Sequence, residues 1–313
     1  MAAVIRLPAE IEALVASLRE DFARAGMPPE PRARFLKAPQ FDVPDNPFKI
    51  LLLAPGDQPV GVLSWSRDVA PGRVDRGGQR AREAREVLGP VAGSAILEPT
   101  FAGEFEGRSF EVVPWQRPLT DHLWRWRVQR WRMAPGLIRW VTLLVGVRTG
   151  PDPTAEELAR RALDVVANDA ALPAPIRDGA LGALSRLDNG RWTPHVVVCH
   201  NDLWKGNVLL PIDASSRRTT ACGFFVIDWA GARLTGFPVW DLVRIAQSLR
   251  IPGPLFKWAL RRQCRVLGCD LGDARSNFLA AIGDLRIHLE HMPIERYSEV
   301  VTASYRHLER ALS

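Results

Sequence analysis

Lysine is nearly absent from this chain. Its 313 residues carry 41 Lys+Arg against 35 Asp+Glu, yet only Lys37, Lys49, Lys205 and Lys257 are lysine. Chemistry that needs an ammonium group has four candidates, two of them in the N-terminal third, and none lies between positions 50 and 204. Cysteine is just as scarce. Four cysteines in a chain this long do not make a disulfide scaffold, and Cys264 and Cys269 lack the spacing and the second pair of a zinc knuckle. Reduced thiols are expected. No apolar run approaches the roughly 20 residues that span a bilayer, which speaks against an integral membrane protein. The opening MAAVIRLPAEIEALV puts acidic residues where a signal peptide keeps an apolar core, so a cytoplasmic location is expected. There is no internal repeat, no low-complexity tract and no dense basic tail. A net charge of +6 over this length does not imply a nucleic-acid partner, and none is expected.

What is present is a globular composition, 47% hydrophobic and 24% charged, long enough for one large domain or two lobes. Residues 8–25 place Ile11, Leu14, Val15, Leu18 and Phe22 at helical spacing, and Gly26 and the prolines beyond it end the helix. A Pro-rich irregular stretch comes next. The run LLLAPGDQPVGVLSW reads as a β-hairpin around Pro-Gly-Asp, QRAREAREVLG as a helix, and AILEPTF and RSFEVVPW as two further strands joined at EFEGR. From Thr120 the pattern is mostly helical, interrupted by VVVCHNDLWKGNVLL and GFFVIDWAG. The boundary between the two halves falls near residues 111–119.

These interruptions carry the chemistry. The apolar strand Val196-Val197-Val198 leads into His200-Asn201-Asp202-Leu203-Trp204-Lys205-Gly206-Asn207, and about twenty residues later Phe224-Phe225-Val226-Ile227 ends in Asp228. Asn207 and Asp228 are hard oxygen donors suited to a magnesium ion that also holds phosphate oxygens. Asp202 is then free to orient and deprotonate a hydroxyl that attacks phosphorus.

These residues resemble the H-x-D-x-x-x-x-N loop and the following metal aspartate of the protein-kinase-like phosphotransferases, and more closely the aminoglycoside and choline phosphotransferase branch. The segments HNDLWKGN, Ile227-Asp228-Trp229 and Gly236-Phe237-Pro238-Val239-Trp240-Asp241-Leu242 match that branch in order and spacing. The HxDLW-x-GN wording is also similar to the ketosamine kinases. The resemblance covers residues 30–310 and implies an α+β, two-lobed protein-kinase-like fold, with a small β-rich N-lobe holding one main helix and a larger, mostly helical C-lobe. On that pattern residues 1–110 form the N-terminal helix and nucleotide-binding lobe, 111–119 the hinge, and 120–313 the lobe with the catalytic loop and acceptor site. It implies ATP or another nucleoside triphosphate and Mg2+ as cofactors, Asp202 as base, and Asn207 and Asp228 as metal ligands. His200 braces the loop, Asp241 caps it from the next helix, and the hinge residues Glu111 and Val113 contact the nucleotide. Lys205 either neutralises the moving phosphoryl group or is a solvated loop lysine. Trp204 and Trp229 either line the acceptor pocket or simply pack.

The N-terminal half departs from the pattern. The stretch from Lys37 to Phe48, where a phosphate-cradling loop belongs, contains no glycine. The third-strand lysine that positions nucleotide phosphates is missing, and Ser64 occupies the best-aligned position. Three explanations compete. Lys49 supplies the charge from the second strand, as in the with-no-lysine protein kinases, or Arg67 reaches in from beyond the third strand. Otherwise the chain is a pseudokinase-type binding module with impaired nucleotide binding. Glu83 fits the helix glutamate that pairs with the cation, and Glu86 is the alternative one turn along.

The acceptor side has no acidic excess. From Asp241 onward there are eight Asp+Glu against eleven Lys+Arg, so a neutral or anionic small molecule or glycan is expected rather than a polycation. In Leu123–Arg132, LWRWRVQRWR, helical spacing puts Trp124, Val128 and Trp131 on one face and leaves Trp126 among the polar positions. That face either packs into the core or forms a basic aromatic surface for anionic lipid or a sugar, the first option being the expectation. Leu137–Val147 is apolar but broken by Arg139 and too short to span. His288 and His291 read as surface or packing residues.

Overall fold

The structure, a computed structural model, describes residues 7–37, 43–120, 122–147, 153–289 and 292–313. Residues 38–42 of the glycine-free loop, and His291, lie outside this set. The chain opens with α1 (Ala9–Ser17) and α2 (Arg19–Arg24), followed by β1 (Arg32–Phe35), β2 (Phe48–Ala54) and β3 (Gln58–Trp65). Helix α3 (Arg73–Ala92) then precedes β4 (Phe101–Phe105) and β5 (Arg108–Pro114). These five strands form one antiparallel sheet in the order β1-β2-β3-β5-β4. The β2–β3 hairpin turns on Gly56 and Asp57, both at positive φ (78° and 63°), the handedness that matches strand twist.

Period-two alternation decides which side chains share a face. Ile50 and Leu52 of β2, Leu63 and Trp65 of β3, and Phe110 and Val112 of β5 are buried together with Ile11, Leu14, Leu18 and Phe22 of α1 and α2. The N-terminal helix thus covers one face of the sheet, which leaves the alternate positions Lys49, Ser64 and Glu111 for the opposite face. Strand β1 sits in the stretch read from sequence as irregular. It is a short edge strand whose arginines face outward, a device that discourages further pairing. The strand expected at AILEPTF begins only at Phe101. Pro99 interrupts it, and Ile96 instead makes an isolated bridge to Val226 in the second half of the chain.

The remainder runs through β6 (Arg117–Pro118), α4 (Leu123–Gly146), α5 (Ala155–Asn168), α6 (Ala174–Asp188), β7 (Val197–Cys199) and β8 (Val208–Leu210). It continues with α7 (Ala214–Thr219), β9 (Phe225–Val226), β10 (Arg233–Gly236), α8 (Trp240–Ser248), α9 (Gly253–Leu267), α10 (Leu271–Ile287) and α11 (Ile294–Leu312). The short strands make two small sheets, β10-β7 and β6-β8-β9, that carry the site loops; the helices supply most of the main core.

Helix α4 corrects one expectation. Met133, Leu137, Val141 and Leu144 are buried, and they fix the rotation of the helix. Traced back at spacings of three and four, that inner face reaches Trp126, which packs against the core, while Trp124, Val128 and Trp131 point outward. The four cysteines are free, and His288 is held by its own helix, with Nδ1 at 2.8 Å from the Asp284 carbonyl. No helix among the described residues is long and apolar enough to cross a membrane.

Because α1 and α2 cover that sheet face, Leu14→Ala is expected to cost about 2–5 kcal/mol in urea unfolding. The exposed Leu143→Ala serves as the control and is expected to stay within about 0.5 kcal/mol of wild type.

Candidate active site

Strand β7 delivers the chain to His200, where a single buried carboxylate fixes the path of the loop. Asp241, in the first turn of α8, accepts the backbone amides of His200 (2.6 Å) and Asn201 (2.9 Å). Burial pushes the Asp241 carboxyl up to about 7, against the two amide bonds that favour its charged form. Asn201 takes the left-handed conformation (φ 67°), which asparagine tolerates better than most residues. It is pinned there by Nδ2 donating to Gly231 O at 3.0 Å and by Trp240 Nε1 donating to its carbonyl at 2.8 Å.

His200 is fully buried and braces two segments. Its Nε2 lies 3.0 Å from Ile227 O, and its Nδ1 is 3.3 Å from the Asp202 amide nitrogen. Its ring meets the edge of buried Trp229 at 4.7 Å. Burial lowers its pKa to about 4, so it is neutral at physiological pH. A neutral ring that donates through Nε2 and accepts through Nδ1 satisfies both contacts. Trp229 is therefore a packing residue.

Asp202 meets solvent on one side and is surrounded by protein on the others. Burial and the nearby negative charge of Asp228 raise its carboxyl to about 6, against the opposing charges of Arg244 and Arg296 and a bond from Asn207. Asn207 Nδ2 donates to Asp202 O at 2.8 Å and to Asp202 Oδ2 at 3.1 Å. With both amide hydrogens turned to Asp202, Asn207 can meet a cation only through Oδ1. Asp228 also adopts a left-handed backbone (φ 68°, ψ 61°), an unusual conformation for a residue with a side chain. No group of three or more His, Cys, Asp or Glu that could hold a metal exists among the described residues. The donors at this place, the Asn207 amide oxygen and the Asp228 carboxylate, are hard oxygens whose chemistry would suit a magnesium ion taking its other ligands from phosphate and water.

A lysine does stand opposite the third-strand position where the sequence has Ser64. Lys49 on β2 pairs with Ser64 on β3, which pairs with Glu111 on β5. The Lys49 Nζ donates to Ser64 Oγ at 3.2 Å. Burial raises the Glu111 carboxyl, Lys49 and the Ser64 hydroxyl pull it back, and the charge of Asp228 adds to the rise. Glu111 and Val113 are thus ladder residues of β5, with Val113 paired to Val62. The sequence placed a glutamate of α3 against the cation, and the structure does not. Glu83 accepts from Gln79 on its own helix at 2.9 Å, and Glu86 is exposed. Instead α3 brings Gly77 against Ala230 and Gly78 against Glu111, where a Cβ on Gly78 would stand 3.8 Å from the carboxylate. Arg80 donates to the Ala230 carbonyl, tying α3 to the segment after Asp228. Arg67 lies over Phe48 at 5.7 Å, on the core side of the sheet rather than beside Glu111.

Lys205 lies 5.1 Å over the Trp126 ring, and Lys37 lies 6.0 Å over Trp204. The Trp204 indole covers Gly206 so closely that any Cβ there would collide with it. Sequence reasoning missed Arg244 and Arg296. Arg244 lies one helical turn past Asp241, a signal that was available. Arg296 comes from α11 and gave none.

No protein-family model and no curated protein sequence matches the chain. The fold has clear structural relatives. It matches an aminoglycoside 2'-phosphotransferase in its GDP complex (TM-score 0.54, 14% identity, 97% of this chain and 98% of that one). It matches a second aminoglycoside phosphotransferase, solved as a thermostable mutant without ligand (TM-score 0.54, 12% identity, 90% and 95%). It also matches a choline/ethanolamine kinase family protein from Mesorhizobium loti (TM-score 0.52, 13% identity, 97% and 95%). The chain has the two-lobed kinase-like fold.

Asp241→Ala leaves two buried amides without an acceptor, at about 1–3 kcal/mol each. Amide exchange at His200 and Asn201 is expected to quicken at least about fivefold, the low end of that range. Unchanged protection would remove Asp241 from its place as the anchor of this loop.

Proposed function

We propose that the protein is a phosphotransferase that moves the terminal phosphoryl group of ATP or another nucleoside triphosphate onto a hydroxyl of a small molecule or glycan. The observation that carries this reading is the convergence of two sets of groups. Asp202, Asn207 and Asp228 stand on one side, and the Lys49–Ser64–Glu111 file stands electrostatically coupled to Asp228 on the other. Asp202, oriented by Asn207, takes the proton of the acceptor hydroxyl as its oxygen attacks the terminal phosphorus. The bond to the bridging oxygen breaks, and the nucleoside diphosphate leaves. Lys49, held against Ser64, pairs with nucleotide phosphate oxygens. Asn207 and Asp228 would hold magnesium, which would supply charge neutralisation to the phosphates when bound. Lys205 has its ammonium on Trp126 and acts, on this reading, at the edge of the acceptor side.

The charges around Asp202 support a neutral or anionic acceptor. Arg244 and Arg296 both act on its carboxyl, and both would oppose a polycation. A panel of sugars, amino alcohols and anionic polyols, scored by nucleotide consumption, is expected to select among such acceptors.

Three results are expected. Lys49→Ala should lose roughly 100-fold or more in kcat/KM, and the exchange Lys49→Ser with Ser64→Lys should restore part of it, because the two positions face each other across the ladder. Full activity in Lys49→Ala would remove Lys49 from the reaction. Asp202→Asn should lose about 100- to 10,000-fold in kcat while keeping nucleotide-dependent stabilisation in a thermal-shift titration with magnesium. No stabilisation of wild type by any nucleoside triphosphate would make the chain a non-catalytic module. The base works only when deprotonated, so kcat/KM should fall as pH drops below about 6, the value to which Asp202 is raised. A profile flat from pH 5 to 7 would exclude Asp202 as the base.

A further inference from the structure

Two packed helices carry a surface that the phosphotransfer reading does not use. Helix α4 has five arginines and no acidic residue, and its neighbour α9 has four basic residues and no acidic one. Along α4, Trp124 (72% exposed), Val128 (52%) and Trp131 (58%) form a continuous outward stripe at spacings of four and three. Arg125 and Arg132 flank it on one side and Arg127 and Arg130 on the other. The guanidinium of Arg127 lies 5.3 Å from the Trp124 ring, and that of Arg130 lies 5.7 Å from Trp131. On α9, Trp258 is 44% exposed, with Arg262 at 5.5 Å. Arg130 donates to the Arg250 carbonyl just ahead of α9, which joins the two surfaces.

Core packing does not account for the stripe, because Trp126, Met133 and Leu137 on the other side of α4 already do that work. We propose that this face of α4, continued by α9, docks the protein on an anionic lipid bilayer. Charge complementarity selects an anionic partner, since nine basic residues on the two helices stand without one acidic residue. The stripe then selects lipid. Val128 joins the two indoles into an apolar ridge along the helix axis, which suits immersion at the headgroup boundary. Tryptophan is the side chain that settles at that boundary. On the inner side of the same helical turns Trp126 carries Lys205, so docking sets the 200–207 loop against the membrane-facing helix.

The test needs no enzymatic activity and is therefore independent of the proposed reaction. The purified full chain is floated with vesicles of phosphatidylcholine, alone or mixed with phosphatidylglycerol, at low salt and at about 500 mM salt. Partition onto the anionic vesicles is expected to exceed that onto neutral ones by at least roughly tenfold and to fall at high salt. Trp124→Ser with Trp131→Ser should lower it by a further factor of at least roughly ten while leaving the urea midpoint unchanged. Arg125→Glu with Arg127→Glu should lower it as well and keep the fold. Absence of binding at low salt, equal binding to neutral vesicles, or full binding by the tryptophan pair variant would overturn the proposal. So would tighter binding to a single-stranded oligonucleotide than to the anionic vesicles.

Discussion

The geometry of the site depends on one buried carboxylate. Asp241 accepts two consecutive amides, and that pair of bonds sets the path of the chain from His200 to Asn207. His200 then carries the constraint sideways to Ile227, and thereby to the residue before Asp228. The candidate base, its amide partner and the candidate metal ligand are therefore positioned by one connected set of hydrogen bonds rather than by three separate loops. The arrangement is costly in isolation. A carboxyl whose burial raises it toward neutral pH gives up hydration, and Val239, just ahead of α8, is held at positive φ (81°), an outlier for a β-branched residue. Strain and desolvation stored beside a candidate site mark a local optimum for geometry rather than stability.

Under the proposed function, the sheet would answer the missing lysine by translation. Opposed residues of antiparallel strands share a face, so a cation moved from β3 to the opposite position on β2 projects from nearly the same place. Serine at the vacated position leaves room and offers its hydroxyl to Lys49. Glu111, on the next strand of the same file, is the carboxylate whose charge Lys49 favours. Helix α3 presents glycines where it passes Glu111 and Ala230, and it comes close to both.

Much of this was legible in the sequence. The 200–207 loop and Asp228 could be placed from short-range spacing, because strand ends confine them wherever the chain folds, while the place of Asp241 came from the resemblance. The hairpin was legible in the Pro-Gly-Asp turn, but the pairing of Lys49 with Ser64 was not, because a bulge between Leu52 and Leu53 shifts the register by one residue. Glu83 was misread because helical pattern alone does not say how far a helix is rotated about its axis. The glycines at 77 and 78 let α3 approach with a different side inward. The same limit governed Trp124 and Trp131. Their amphipathic spacing was plain, but the phase of α4 is set by Met133 to Leu144 further along, and the most aromatic face was not the buried one. Arg296 comes from a helix more than ninety residues away from Asp202, a proximity that no local pattern encodes.

The bridge between Ile96 and Val226 and the bond from Arg80 to Ala230 bracket Asp228 from both sides of the chain. Each ties the first half of the molecule to the segment that holds that aspartate. The helix beside the sheet and the aspartate opposite it therefore form one mechanical unit. An outward swing of α3 would have to break the Arg80–Ala230 bond and so disturb the turn that carries Asp228.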